Sequence, residues 1–264
     1  MIKLLGIPFD ANSSFLKGPA HAPPLIRQMD SDGSANVFSE NGLEINKSNL
    51  TDLGDMTFEN QNPETVYRAI KQRVDRELED GGNLICLGGD HSIAYPVIEA
   101  YASHYPGLHV LHFDAHPDLY HHYDNNPFSH ASPFARIMEK GLTASLTQVG
   151  VRTLTTHLRE QGERFRVRMF EMKDLGYDFL QTLQAPLYIS IDMDVLDPAF
   201  APGVSHHEPG GMSTRQVLQI IQNLPVPLVG ADIVEYNPQR DLNGVTAMTA
   251  AKLLKEIMAK MITG

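Results

Sequence analysis

Three segments of this chain carry aspartate and histidine at the ends of apolar runs. Gly88-Gly89-Asp90-His91-Ser92 follows Asn83-Leu84-Ile85-Cys86-Leu87. Asp114-Ala115-His116-Pro117-Asp118 follows His109-Val110-Leu111-His112-Phe113. Asp192-Met193-Asp194 follows Pro186-Leu187-Tyr188-Ile189-Ser190-Ile191. Such side chains are metal ligands when they converge. Their spacing favours convergence: Asp114, His116 and Asp118 recur at every second residue, as do Asp192 and Asp194. In extended backbone, residues i, i+2 and i+4 point the same way. His91, Asp114, His116, Asp118, Asp192 and Asp194 are therefore the candidate ligands. Four carboxylates brought together would repel and take up protons unless cations balanced them. About two divalent ions would cancel their charge. Carboxylate and imidazole without cysteine suit Mn²⁺ or a similar hard ion better than a structural zinc.

The elements that must hold these residues alternate between strand and helix. Short apolar runs bounded by turn residues read as buried strands of a parallel sheet, at 1–6, 83–87, 109–113, 146–150, 166–170, 187–191 and 227–233. Helical stretches are expected at 63–79, 93–103, 133–140, 154–163, 173–184, 214–223 and 247–262, with Ser213 as an N-cap. Residues 34–62 read as polar and irregular. The alternation implies an α/β protein, its mostly parallel sheet covered on both faces, and ligands belong at the carboxyl ends of its strands. No repeat or linker divides the chain, so residues 1–264 are expected to form one domain.

GGDHS, DAHPD and SIDMDVLDPAFAPG resemble the three metal motifs of the ureohydrolase family, which includes arginases, agmatinases and related amidinohydrolases. Gly6-Ile7-Pro8-Phe9-Asp10 with Ser13-Ser14-Phe15 and Gly18-Pro19 is similar to that family's first strand and loop. Ser129-His130-Ala131-Ser132-Pro133, Gly203-Val204-Ser205-His206, Glu208-Pro209-Gly210-Gly211 and Asn237-Pro238-Gln239-Arg240-Asp241 resemble its plant-type arginase branch. The resemblance implies the three-layer α/β/α fold. It also implies two Mn²⁺: His91, Asp114, Asp118 and Asp192 around one, and His116, Asp114, Asp192 and Asp194 around the other. By the same likeness His130 is the proton shuttle, Glu235 holds the guanidinium, Asp118 orients the attacking water, and the protein is a homo-trimer or homo-hexamer.

The expected reaction is hydrolysis of L-arginine to L-ornithine and urea. Agmatine, giving putrescine and urea, is the alternative, along with other guanidino acids. Glu235 and the metals would read only the guanidinium end that these substrates share. Tyr120 stands where animal-type arginases have a carboxylate-holding asparagine, and agmatinases and plant-type arginases both resemble this chain there. Two other classes fit less well. A binuclear phosphoesterase would need phosphate-clamping basic groups beside the metals, and a non-catalytic relative would have lost some of these residues.

Two long loops, 117–131 and 197–211, begin at candidate ligands, and loops of that length commonly bind something. His121 and His122 read as solvated, Asp90 as a residue orienting a ligand or loop, and Asp197 as structural. A net charge of −11 argues against nucleic acid and anionic membranes and is compatible with a cationic substrate. The single cysteine, Cys86, lies inside an apolar run and reads as a core thiol in a reducing compartment. No targeting leader or membrane span is apparent. A cytoplasmic location is the expectation.

Overall fold

The computed structural model describes residues 1–60 and 62–264. Eight strands form one parallel sheet: β1 (Ile2–Ile7), β2 (Leu50–Asp55), β3 (Asn83–Gly88), β4 (His109–Phe113), β5 (Ser145–Val151), β6 (Arg168–Glu171), β7 (Leu187–Asp192) and β8 (Leu228–Val234). Their order is β2-β1-β3-β8-β7-β4-β5-β6, and every neighbouring pair is parallel.

The helices are α1 (Ala22–Ser31), α2 (Pro63–Leu78), α3 (Ala94–His104), α4 (Pro133–Glu139), α5 (Thr156–Phe165), α6 (Thr214–Gln222) and α7 (Val245–Thr263). Strand periodicity sorts the core into two halves. Ile85, Leu87, Leu111, Phe113, Ile189 and Ile191 point to one face and pack with α1, α6 and α7. Leu84, Cys86, Val110 and Tyr188 point to the other and pack with α2, α3, α4 and α5. That is the α/β/α sandwich. Among the described residues no helix is long and apolar enough to cross a membrane.

Local signals explain most boundaries. Asn62 caps α2 by accepting from the N–H of Thr65, and Pro63 occupies the first turn. Ser213 and Gln216 form a reciprocal capping box on α6. Two expectations are corrected. Residues 34–62 hold the edge strand β2, whose Leu-Thr-Asp-Leu-Gly-Asp sequence is mostly exposed because only one side of it meets the sheet. The helix expected at 173–184 is instead two short 3-10 turns, Met172–Asp174 and Asp178–Thr182, separated at Gly176. Glycine there favours the break.

Because every strand runs the same way, all carboxyl ends lie along one rim. The four central strands, β3, β8, β7 and β4, end there side by side. Gly89, just past β3, is where the chain passes closest to its neighbour: an added Cβ would sit 1.9 Å from the carbonyl oxygen of Phe9. That carbonyl accepts from the N–H of Asp90 at 2.9 Å, so it cannot move without shifting the next two residues. Gly89→Ala is expected to destabilise the protein by about 2 kcal/mol, the scale of overpacking. An unchanged thermal midpoint would show that the segment can yield.

Candidate metal centre and cavity

Each of the four central strands delivers a side chain to one spot. His91 opens a 3-10 turn directly after β3, with Asp90 capping that turn through the N–H of Ser92. Asp114 follows β4, Asp192 ends β7, and Glu235 follows β8. Asp118 and Glu235 hold left-handed backbone, with φ of 52° and 64°. For residues other than glycine this costs on the order of 1–3 kcal/mol, a strain typical of functional sites.

The six candidate ligands form two groups. His91 Nδ1 lies 3.1 Å from Asp114 Oδ2, 3.1 Å from Asp118 Oδ2 and 3.2 Å from Asp192 Oδ2. His116 Nδ1 lies 3.2 Å from Asp114 Oδ1 and 3.1 Å from Asp194 Oδ2. Asp114 thus turns one oxygen to each group. Asp192 Oδ1 accepts the N–H of Asp194 at 2.8 Å.

These atoms suit cations. His91 Nδ1 is fully buried and makes no hydrogen bond, although three carboxylates face it. A lone pair ringed by oxygens needs a shared positive centre. An octahedral ion with bonds of about 2.1 Å holds neighbouring donors about 3.0 Å apart, close to the separations seen. Without such ions the charges are hard to sustain. Burial first, then Asp194 and Asp114, pushes Asp192 well above the usual carboxylate range. Burial and Asp114 raise Asp118.

Further side chains, behind the candidate ligands, hold the donors in place. His112 Nε2 donates to Asp114 Oδ2 at 2.8 Å, while its Nδ1 accepts from Gln148 at 2.9 Å. Its ring stacks on Phe134 at 3.9 Å. Behind His91, Ser190 Oγ donates to Asp232 Oδ1 at 2.7 Å, and Tyr188 donates to Asp232 Oδ2 at 2.8 Å. With its one proton so used, Ser190 accepts from His91 Nε2 at 2.9 Å. That fixes the tautomer in which Nδ1 is bare. Arg152 donates to the carbonyls of Gly150, Asp194, Val195, Leu196 and Glu208, tying the residues just before the 197–211 loop to its far end. Asp197 closes that loop by accepting from the N–H groups of Ala199, Gly210 and Gly211. The alternation 112, 114, 116, 118 could have drawn attention to His112. Nothing in the sequence marks Ser190, Asp232 or Arg152 as partners of the site.

The rim opens into a cavity of about 530 Å³ lined by His116, Asp118, His130, Asp192, Asp194 and Glu235, among others. His130 Nδ1 donates to Glu235 Oε1 at 2.7 Å. The same oxygen accepts the N–H of His91 at 2.9 Å. Oε2 of Glu235 therefore remains for whatever enters. His130 Nε2 meets Ser14, 3.1 Å from its backbone N and 2.8 Å from its Oγ. Burial alone would lower the pKa of His130, but Glu235, Asp90 and Asp118 carry it up to about 9. The charges favour imidazolium while the contact favours the neutral ring. A backbone N–H can only donate, so the geometry seen is that of neutral His130. Asp90 is fully buried and raised to about 7, by burial first and then by Glu235. It accepts from Asn12, Ser13 and Ser92. His121 and His122 are exposed, outside this constellation.

Residues 1–260 match the family model described as arginase family. The chain belongs to the arginase family. It is 47% identical to arginase 1, mitochondrial, of Arabidopsis thaliana, over 98% of this chain and 80% of that one. An arginase structure from Medicago truncatula superposes with a TM-score of 0.94 at 44% identity, covering 98% of this chain and 87% of the other. Agmatinase of Bacillus subtilis is more distant within the same arginase family, at 32% identity over 97% of this chain and 90% of its own. Members of this family are hydrolases of guanidino groups. The cytoplasmic expectation is corrected here: the Arabidopsis thaliana, Oryza sativa and Medicago truncatula relatives are named as mitochondrial enzymes. A buried thiol and an acidic surface describe the folded domain, and neither distinguishes one reducing compartment from another.

Asp192→Asn is expected to lower the content of divalent cation, since the amide leaves one buried charge fewer to bind it. Full occupancy measured by elemental analysis would remove Asp192 from the centre.

Proposed function

We propose that this protein hydrolyses the guanidinium of L-arginine to L-ornithine and urea, with about two Mn²⁺ per chain held by His91, Asp114, His116, Asp118, Asp192 and Asp194. The observation that carries the reading is the pair of imidazole–carboxylate groups sharing Asp114, set beside His130 and Glu235 in one cavity. Cations held there would supply Lewis acidity, which can lower the pKa of water from 15.7 toward roughly 7.

The chain's own groups do the rest. Glu235 Oε2 receives an N–H of the planar cation, a charge-assisted contact in a water-poor site. Asp118, in the cavity wall, accepts a hydrogen bond from the attacking water and orients it. Water oxygen joins the guanidinium carbon, the bond from that carbon to the side-chain nitrogen breaks, and that nitrogen needs a proton to leave as an amine. His130 supplies it. Its pKa is raised by Glu235, so it takes a proton readily, and an imidazole changes charge without rearranging the site.

Arginine is preferred over agmatine because the plant arginases resemble this chain more than the agmatinase does. Both substrates present the same guanidinium, so the choice lies at the far end of the cavity, whose wall includes Tyr120, Tyr123, Thr153 and Thr155. A site that pairs with a carboxylate discriminates against a substrate without one, because its polar groups would be left unpaired. Arginine should therefore give the highest kcat/KM among arginine, agmatine, 4-guanidinobutyrate and 3-guanidinopropionate. Agmatine ahead by tenfold would overturn the substrate and leave the chemistry standing.

Two substitutions separate the roles. His130→Ala is expected to keep its metal and lose roughly 10²–10⁴-fold in turnover; metal loss would contradict that role. Glu235→Gln is expected to reduce kcat/KM by a factor corresponding to a few kcal/mol, and an unchanged value would mean that Glu235 does not meet substrate. Elemental analysis of manganese-supplied protein should give about two Mn²⁺ per chain. The family resemblance also leads us to propose a homo-trimer or homo-hexamer, which light scattering at the monomer mass would refute.

A further inference from the structure

His130 has no idle ring nitrogen. Nδ1 donates to Glu235 Oε1 at 2.7 Å. Nε2 is covered by Ser14, whose backbone N–H lies at 3.1 Å and whose hydroxyl lies at 2.8 Å. Since the N–H is a fixed donor, Nε2 presents its lone pair, and the hydroxyl is placed to donate to it as well. Ser14 is itself exposed and lines the cavity alongside His130 and Glu235. Its Oγ thus meets Nε2 in the wall of the cavity.

The contact is built rather than incidental. On one side of Ser14, the Asn12 N–H and the Ser13 hydroxyl both donate to Asp90 Oδ2, at 3.0 and 3.3 Å. Asn12 Nδ2 donates to the Tyr67 hydroxyl and to Ser92 Oγ, at 2.9 and 3.2 Å. The Asn12 carbonyl accepts the N–H of His130 itself at 3.2 Å. On the other side, the Phe15 ring packs 5.4 Å from that of His206. The loop after β1 is therefore fastened to the end of β3 and to both long loops, and Ser14 is the residue it turns toward Nε2.

We propose that the Ser14 hydroxyl is the relay through which His130 exchanges its proton with the reacting groups in the cavity. Inward, a proton reaches Ser14 Oγ from water as the hydroxyl's own proton passes to Nε2, leaving imidazolium paired with Glu235. Outward, Nε2 returns that proton to Oγ while Oγ–H is given to the departing amine. Serine ends each passage with the one proton it began with. Ser14 is thus a positioning and relay residue whose effect depends on the role proposed above for His130.

The alternative is a cap that merely occupies Nε2. The two readings predict opposite results for Ser14→Ala, which deletes the hydroxyl and keeps the backbone N–H. In metal-loaded enzyme with arginine, the relay requires kcat to fall about tenfold, less than the roughly 10²–10⁴-fold of the whole acid–base contribution. KM and metal content should stay within twofold, and Ser14→Thr, which restores a hydroxyl, should recover most of the loss. A Ser14→Ala kcat equal to or above that of the parent, with His130→Ala inactive, overturns the relay and leaves the function intact. A loss that Ser14→Thr does not reverse, or that accompanies metal loss, overturns it in favour of a structural mount. Full turnover in His130→Ala removes the shuttle itself and the relay with it.

Discussion

Asp114, Asp118, Asp192 and Asp194 are all buried at one rim, and carboxylates so placed cannot all remain ionised in a dry interior without positive charge among them. His91 and His116 each turn a ring nitrogen toward two or three of the carboxylate oxygens, and the bare Nδ1 of His91 adds no charge of its own. The arrangement calls for cations. Much of the surrounding architecture serves that demand. The four strands that bring these groups together are neighbours at the centre of the sheet, where both faces are covered and water is scarce. A site at the edge of the sheet would hold its carboxylates more cheaply and bind cations less tightly.

Burial sets a second requirement, that each donor be aimed. The aim comes from within the sheet. Asp232 on β8 and Ser190 on β7 lie directly opposite each other in register, and together they set the proton of His91. His112 on β4 and Gln148 on β5 are likewise paired, and they hold Asp114. Strand register therefore does chemical work, because a slip of one residue would turn these side chains to the other face. Arg152 extends the same control beyond the strands. Its guanidinium gathers carbonyls from both ends of the segment that carries Asp194, so the loop reads as rigid rather than as a free lid.

The proton-handling side of the cavity is built separately. Glu235 follows β8 in strained backbone and reaches His130, which comes from a loop far away in sequence. One carboxylate oxygen is shared between the histidine and the backbone of His91. The group proposed to meet the substrate cation is thereby also a group that raises the pKa of His130, the proposed shuttle. In the proposed reaction, substrate binding and proton transfer would be coupled through this one side chain.

The candidate ligands could be named from sequence because clustered aspartate and histidine at the end of an apolar run is a local pattern, although their convergence comes from left-handed backbone at Asp118 and a 3-10 turn at Met193–Val195 rather than from extended chain. The α/β layering was legible for the same reason, since buried parallel strands are continuously apolar. The edge strand Leu50–Asp55 was not, because an exposed edge has no apolar signature. The 173–184 segment was misread because its helix-like composition is outweighed by the break at Gly176 and by short turns that pack Phe179 into the core. Location could not be read from a domain whose folding is indifferent to compartment. What only the tertiary structure decided is which distant residues meet: Ser190 with Asp232, His112 with Gln148, Ser14 with His130. Those contacts join residues 36 to 116 apart in the chain. They depend on strand order and register, and a single hydroxyl or amide leaves no pattern of its own in the sequence.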